Sequence, residues 1–160
     1  MKKVGIFGSE YQADKQLVIK RLFEKLASLE AEVFVDRDFY LFLTDALNYE
    51  PPVSGILTSD EFDLDVALSL GGDGTFLRTA ARVNKQDIPI LGINTGRLGF
   101  LADVASNDIE DTLDELFKNY YKTEERTLCF ERIVDDDLAL HFLVVQAFGH
   151  LFHGYDPYGA

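Results

Sequence analysis

The sequence is short of positive charge: 15 Lys and Arg face 28 Asp and Glu, a formal net charge of −13. Nucleic acid and anionic membrane are themselves negatively charged, so this balance argues against both as partners. Cysteine is represented by Cys129 alone, which excludes an intrachain disulfide and gives no sign of an oxidising compartment. Long apolar runs are lacking. The longest, Leu138 to Phe152, is short for a bilayer and is interrupted by His141, Gln146 and His150. Lys2 and Lys3 stand near the start, but Gly8 to Lys15 is polar, so the apolar region of a signal peptide is lacking too. Internal repeats and low-complexity linkers are absent. A soluble, cytoplasmic protein is expected, and 160 residues with 47% hydrophobic content suit a globular core.

Glycine is concentrated where it matters. The apolar run Val66 to Leu70 passes directly into Gly71-Gly72-Asp73-Gly74-Thr75, and Phe76, Leu77, Ala80, Ala81 and Val83 then recur with Arg78, Arg82 and Lys85 between them. Buried strand, tight turn and helix start, in that order, make a phosphate site. Gly71, Gly72 and Gly74 are able to take φ > 0 and to let a ligand approach the backbone. The helix start offers unpaired N–H groups and a positive dipole end to an anion. Asp73 is out of place beside phosphate unless it serves as a magnesium ligand or takes a proton from a hydroxyl. The plainer alternative is an ordinary strand-to-helix turn with Asp73 as N-cap. So many glycines exceed what a turn requires, and phosphate handling is preferred. With so acidic a chain, the site must draw positive potential from helix termini, Arg78, Arg97 and metal.

Strand and helix alternate around this motif. Lys3 to Phe7 predicts a first strand, with Gly8 and Ser9 at the carboxyl end, where open α/β sheets carry ligand loops. Asp14 to about Leu29 predicts a helix with Leu17, Val18, Leu22, Leu26 and Leu29 on one face. Glu32 to Asp36 reads as a second strand around Val33 and Val35. Asp38 to Leu47 reads as a short helix or irregular segment, and Tyr49 to Gly55, with Pro51-Pro52, as a loop. Asp60, Glu61, Asp63 and Asp65 read as a solvated acidic face in preference to a metal site. Val66 to Leu70 is apolar on both faces, as a covered parallel strand is. A helix from Thr75 to Lys85 leads to a fourth strand, Ile88 to Ile93. Asn107 or Asp108 caps another helix, with Ile109, Leu113, Leu116 and Phe117 inward and Glu110, Asp111, Asp114 and Glu115 in solvent. The fold class is α/β, a doubly wound, mostly parallel sheet.

A second glycine-bearing segment, Pro89-Ile90-Leu91-Gly92-Ile93-Asn94-Thr95-Gly96-Arg97-Leu98-Gly99-Phe100-Leu101, follows one helix later. Asn94 to Gly99 falls at the carboxyl end of the fourth strand, on the same sheet edge as Gly71 to Thr75, so the two loops border a crevice. Gly96 and Gly99 serve turn geometry alone on the plainer reading, and Phe100 is either core or a ring flanking a nucleotide. Gly-Gly-Asp-Gly-Thr followed by Leu-Gly-Ile-Asn-x-Gly-x-Leu-Gly-Phe resembles the NAD kinase family. Diacylglycerol kinases, sphingosine kinases and 6-phosphofructokinases have similar glycine-rich aspartate motifs without the second one. The resemblance runs from Lys3 to about Arg132.

That resemblance implies ATP-dependent phosphorylation of the adenosine ribose 2′-hydroxyl of NAD, giving NADP, with ATP, NAD and Mg2+ as the bound species. It implies Asp73 as the catalytic proton acceptor. Gly71, Gly72, Asp73, Gly74, Thr75, Arg78, Asn94 and Phe100 are the implied nucleotide-binding residues, with no protein metal cluster among them. Small-molecule nucleotides are the expected partners, and a homo-oligomer is expected.

The resemblance also divides the chain. Residues 1–122 correspond to the family's Rossmann-like α/β domain, and 123–137, containing Thr123-Glu124-Glu125-Arg126-Thr127-Leu128, to the start of its β-rich second domain. Residues 138–160 form an atypical tail, and the rest of the second domain is expected to be missing. The family's Asn-Glu adenosine motif, due a little after Asp137, is not found. Read back through the genetic code with one base dropped, Phe148 to Tyr155 is able to encode Asp-Thr-Ser-Ser-Met-Val, similar to the family segment after that motif, which points to a frameshift. Asp135-Asp136-Asp137 reads as a hairpin turn in preference to a metal site, and His141, His150 and His153 would need a fourth partner and a closed geometry to form a zinc site. The chain alone is therefore expected to be inactive. Two alternatives remain: a non-catalytic truncated nucleotide-binding domain, and a lipid kinase domain of the diacylglycerol or sphingosine type.

Overall fold

A computed structural model describes residues 1–10, 13–83, 86–96, 99–102, 104–130 and 138–147. Among the described residues eight strands form one sheet: β1 (Lys3–Gly8), β2 (Glu32–Asp36), β3 (Gly55–Leu57), β4 (Val66–Gly71), β5 (Ile90–Asn94), β6 (Val104–Ala105), β7 (Tyr121–Phe130) and β8 (Leu138–Ala147). The α-helices described on it are α1 (Gln16–Ser28), α2 (Arg37–Leu41), α3 (Asp73–Val83) and α4 (Ile109–Phe117). The strand order is β3-β2-β1-β4-β5-β8-β7, with β6 also paired to β5. Among the described residues every pairing is parallel except that of β7 with β8, which is antiparallel. Among the described helices none is long and apolar enough to cross a membrane.

The expected doubly wound α/β sheet is thus present, and its cause is visible in β4 and β5, in which every residue is buried. Val66, Leu68 and Leu70 join the apolar cluster beneath α1 and α4, while Ala67 joins the one beneath α3 with Phe76, Ala80 and Val83. Helices on both faces explain why these strands read as continuous apolar runs. The chain grows outward from β1 through β2 to β3, then returns to β4 on the other side of β1 and continues to β5. The direction of winding reverses between β1 and β4, and that reversal opens a crevice at the strands' carboxyl ends.

Several sequence expectations shift. In α1 the buried stripe is Ile19, Leu22, Phe23 and Leu26, whereas Leu17 is 72% exposed. Positions 17 and 19 lie about 200° apart around a helix, so only one of them faces the core, and the stripe containing Phe23 prevails. Val18 and Leu29 are half-buried at its margin. Helix α3 starts at Asp73, two residues before Thr75, and β5 starts at Ile90. Asp38 to Leu47 is helical, with a π-helical turn at Phe42–Ala46, and buries Phe39, Phe42 and Leu43. On α4, Glu110 and Asp114 are not simply solvated: Arg21 and Lys25 of α1 reach them at 2.7 Å each. In the acidic stretch before β4, Asp63 pairs with Lys3 at 2.6 Å, and Asp65 accepts from the Lys3 amide at 2.7 Å. Residues Leu138 to Ala147, set apart by sequence, form β8 beside β5, with Ile90 opposite Val144. Asp135 to Asp137, His150 and His153 lie outside the described residues.

Candidate functional site

The first glycine motif is a very short link: β4 ends at Gly71 and α3 begins at Asp73. Gly71 has φ +154°, and a Cβ there would strike the Thr75 side chain, 2.8 Å from its Cβ. It is the one described glycine with positive φ. The expectation of left-handed freedom at Gly72 and Gly74 is therefore corrected. Both are exposed, with open space where a Cβ would stand, and their role is to keep side chains away from the start of α3. There the Phe76 amide closes the first turn onto the Gly72 carbonyl at 3.0 Å, and the preceding amides have no acceptor within the helix.

Asp73 does not cap its own helix. Its Oδ2 accepts from the Phe100 amide at 3.0 Å, and its Oδ1 from the amides of Leu101 at 3.0 Å and Ala102 at 3.4 Å. The Phe100 hydrogen bond holds the Asp73 carboxyl below the usual carboxylate range; burial opposes this, and the Leu101 and Ala102 amides reinforce it. A Cβ at Gly99 would fall on this carboxylate, 2.6 Å from its Cγ. Gly92, in the middle of β5, leaves room for the same segment: a Cβ there would come 2.7 Å from Ala102 Cα and 2.8 Å from the Phe76 ring. The two glycine motifs are thus physically joined.

Asn94 pairs in register with Gly71 and is 2% exposed, its Oδ1 accepting from the Gly96 amide at 2.8 Å. Phe100 is 90% exposed, which rules out the core alternative. Arg97 lies outside the described residues.

Beside α3 is a cleft of about 630 Å3, bordered by Gly8 at the end of β1 and Ser9 after it, Asp36 at the end of β2, Asp38 of α2, and Thr75 and Arg78 of α3. The buried Thr75 hydroxyl accepts from Arg78 Nη2 at 3.3 Å. The Thr79 hydroxyl donates to the Thr75 carbonyl at 3.0 Å and lies 3.1 Å from Ser69 Oγ, tying α3 to β4.

A family profile described as ATP-NAD kinase N-terminal domain matches residues 7–121. The chain belongs to the NAD kinase family. Curated NAD kinases of Bacteroides fragilis and Porphyromonas gingivalis are 45% and 38% identical to it, over 84% and 80% of this chain and 46% and 44% of their own. The NAD kinase of Flavobacterium psychrophilum is 34% identical over 90% of this chain and 52% of its own, an alignment longer than Lys3 to Arg132. The chain spans about half the length of the curated relatives it matches. In fold it is similar to yeast NADH kinase in complex with NADH (TM-score 0.67, 18% identity, 88% of this chain and 46% of that one). It is also similar to an NAD kinase from Archaeoglobus fulgidus in complex with ATP (TM-score 0.51, 27% identity, 79% and 42%).

Of the residues expected for an NAD kinase site, the structure joins Asp73 to Phe100, Gly71 to Asn94 and Thr75 to Arg78. Thr75 and Arg78 border the cleft; Asp73, Asn94 and Phe100 do not. Sequence reasoning did not reach the Leu101 and Ala102 amides, since backbone donors have no residue signature, nor the space requirement at Gly99. Gly92, a glycine inside an apolar strand, was the available signal for close backbone approach.

Proposed function

We propose that this chain supplies the phosphate-handling part of an NAD kinase, which transfers the terminal phosphoryl group of ATP to the adenosine ribose 2′-hydroxyl of NAD and yields NADP. The observation that carries the reading is the junction of Asp73 with the Phe100–Ala102 amides, which sets a carboxylate at the first turn of a helix that offers anion-binding amides. In support stand the family profile, the 45% identical NAD kinase, and a solved relative that holds ATP.

In this reading Gly71, Gly72, Gly74 and Thr75 shape the phosphate site, and Arg78 offers a guanidinium to the phosphates. Asp73 takes the proton of the attacking hydroxyl. Three amide hydrogen bonds keep it ionised, so it is a weak base, and most of the acceleration comes from positioning and charge neutralisation. Asn94 supports the strand end against Gly71, and the exposed Phe100 ring flanks a nucleotide base. Mg2+ needs only one or two protein carboxylates when phosphates complete its shell. Among the described residues no group of three acidic, His or Cys side chains could hold a metal. Bound with the phosphates, Mg2+ would neutralise charge on the transferred group.

The chain's 160 residues divide, on this proposal, at about residues 122 and 137, with a cytoplasmic location and a homo-oligomeric state. The acidic balance disfavours nucleic acid as a partner. ATP-dependent formation of NADP from NAD by the chain joined to the relatives' second half, and its loss in Asp73→Asn, tests the reading. A protein that folds, binds ATP and forms no NADP even when supplied with the relatives' second half would be the non-catalytic alternative.

A further inference from the structure

The two parts of the Asp73 junction rest on one point of the sheet. Asp73 opens α3, and Phe76, on the next turn of that helix, is fully buried. The amides that hold the Asp73 carboxylate belong to Phe100, Leu101 and Ala102. Both parts meet β5 at Gly92. A Cβ there would stand 2.8 Å from the Phe76 ring and 2.7 Å from Ala102 Cα.

Neither part has room to move aside. Gly92 pairs in register with Ser69 of β4, and both strands are buried throughout. The Phe76 ring lies in an apolar cluster with Ala67, Ala80 and Ile90. Ser69 Oγ is 3.1 Å from Thr79 Oγ1, which ties the neighbouring strand to α3 about one turn beyond Phe76. Ala102 is buried, and two residues later Val104 opens β6 opposite Ile93 of β5. Packing of this density passes a displacement at one point to its neighbours.

The three amide bonds differ in slack. Those from Phe100 and Leu101 measure 3.0 Å, whereas that from Ala102, at 3.4 Å, is already longer than an ordinary N–H···O bond. A methyl group on Gly92 would meet main chain at Ala102, which yields less readily than the tip of a side chain. It would drive Ala102 away from β5, and with it the two amides that serve Asp73 Oδ1. The Phe100 amide, on Oδ2, is the furthest of the three along the chain from the contact.

We propose that Gly92 is a positioning residue for the phosphotransfer: by leaving out a Cβ it lets the helix bearing Asp73 and the segment bearing its amide donors close on one point of β5, and so fixes where the carboxylate stands. The proposal rests on the phosphotransfer reading above and adds the residue that sets the place of the base. Hydrogen exchange on the 160-residue chain tests it, together with steady-state kinetics on residues 1–122 joined to the remaining half of the Bacteroides fragilis relative. Gly92→Ala should speed exchange of the Leu101 and Ala102 amides by about tenfold or more, the weight of a hydrogen bond to a charged group. The Phe100 amide should respond less. In the chimera the same variant should lower kcat by about ten- to a hundredfold, the cost of misplacing a reacting group, with the KM values for ATP and NAD unchanged. Val83→Ala is the control: it opens the same apolar cluster at the far end of α3, about 15 Å from Asp73. It should lower the melting temperature and leave kcat as in the parent. Where Gly92→Ala does not fold, its combination with Phe76→Leu removes the ring beside the new Cβ, keeps the clash with Ala102 and carries the same expectations. Unchanged exchange at Leu101 and Ala102, or parent-like kcat in the folded chimera, would overturn the assignment. A kcat loss matched by Val83→Ala would overturn it too, and would leave Gly92 a role in stability alone. A folded parent chimera that forms no NADP would remove the phosphotransfer reading, and the positioning role with it, even where exchange responds as expected.

Discussion

Asp73 and Phe100, 27 residues apart in the chain, are joined by a 3.0 Å hydrogen bond from the Phe100 amide to the Asp73 carboxylate. Through it the turn after β4 and the segment after β5 become one structure. Phe100 gives its backbone to the site while its ring stays in solvent.

Gly99→Ala should disturb that junction, since the added Cβ would overlap the Asp73 carboxylate. Overpacking of this kind costs about 1–3 kcal/mol. The expected result is a lower melting temperature together with faster hydrogen exchange at the amides of Phe100, Leu101 and Ala102. Unchanged protection at those amides would show that the loop accommodates the methyl group and that the junction is not tight.

The lowered Asp73 pKa has a pH signature. Its folded value lies below the ordinary 3.8, with the Phe100 amide as the leading cause. The ionised group therefore favours the folded state above about pH 4, and that contribution is lost as pH falls through the folded value. Asp73→Asn should be less stable than the parent at neutral pH, because its amide group turns N–H toward a donor. Denaturant midpoints should draw together as pH falls from about 4 through the folded value. A gap that does not narrow as pH falls below about 4 would contradict the assigned cause.

Gly71 and Gly72 should respond in opposite ways to alanine. Gly71→Ala forces a side chain into φ +154° and against Thr75, a strain of about 1–3 kcal/mol. Gly72→Ala meets open space and should alter stability by less than about 0.5 kcal/mol, while weakening ATP binding if phosphate approaches there. Equal melting temperatures for the two variants would remove the backbone distinction between them.

Much of this was readable in advance, and the boundary has physical causes. β2 spans Glu32–Asp36 as expected, because Val33 and Val35 point to one buried face, with Glu32 and Asp36 at the ends and the half-buried Phe34 on the other face. The β4–glycine–α3 unit was legible because a strand covered on both faces leaves a continuous apolar run. β3 and β6, three and two residues long, are too short to show a period. Helix α1 had two overlapping apolar stripes, and the choice between them depended on what lies beneath it. Phe100 was open between core and surface because its neighbours Leu98 and Leu101 are apolar as well. The Arg82 contacts to Asp36 and Asp60 span 46 and 22 residues, and no local pattern announces them.

The 160-residue chain alone should bind ATP yet form little or no NADP. It spans about half the length of its curated relatives, and binding energy from remote parts of a dinucleotide is what places the reacting hydroxyl. Saturable NADP production by this chain, free of host enzyme and sensitive to Asp73→Asn, would show that the described residues suffice.

The most direct measurement joins residues 1–122 to the remaining half of the Bacteroides fragilis relative and follows NADP formation from NAD and ATP. Gly99→Ala serves as a control that disturbs the same loop but keeps the carboxylate. The account predicts saturable turnover in the folded chimera, a loss of about a hundredfold or more in Asp73→Asn, and a smaller loss in Gly99→Ala. A folded chimera without NADP formation, or Asp73→Asn turning over like the parent, would contradict it.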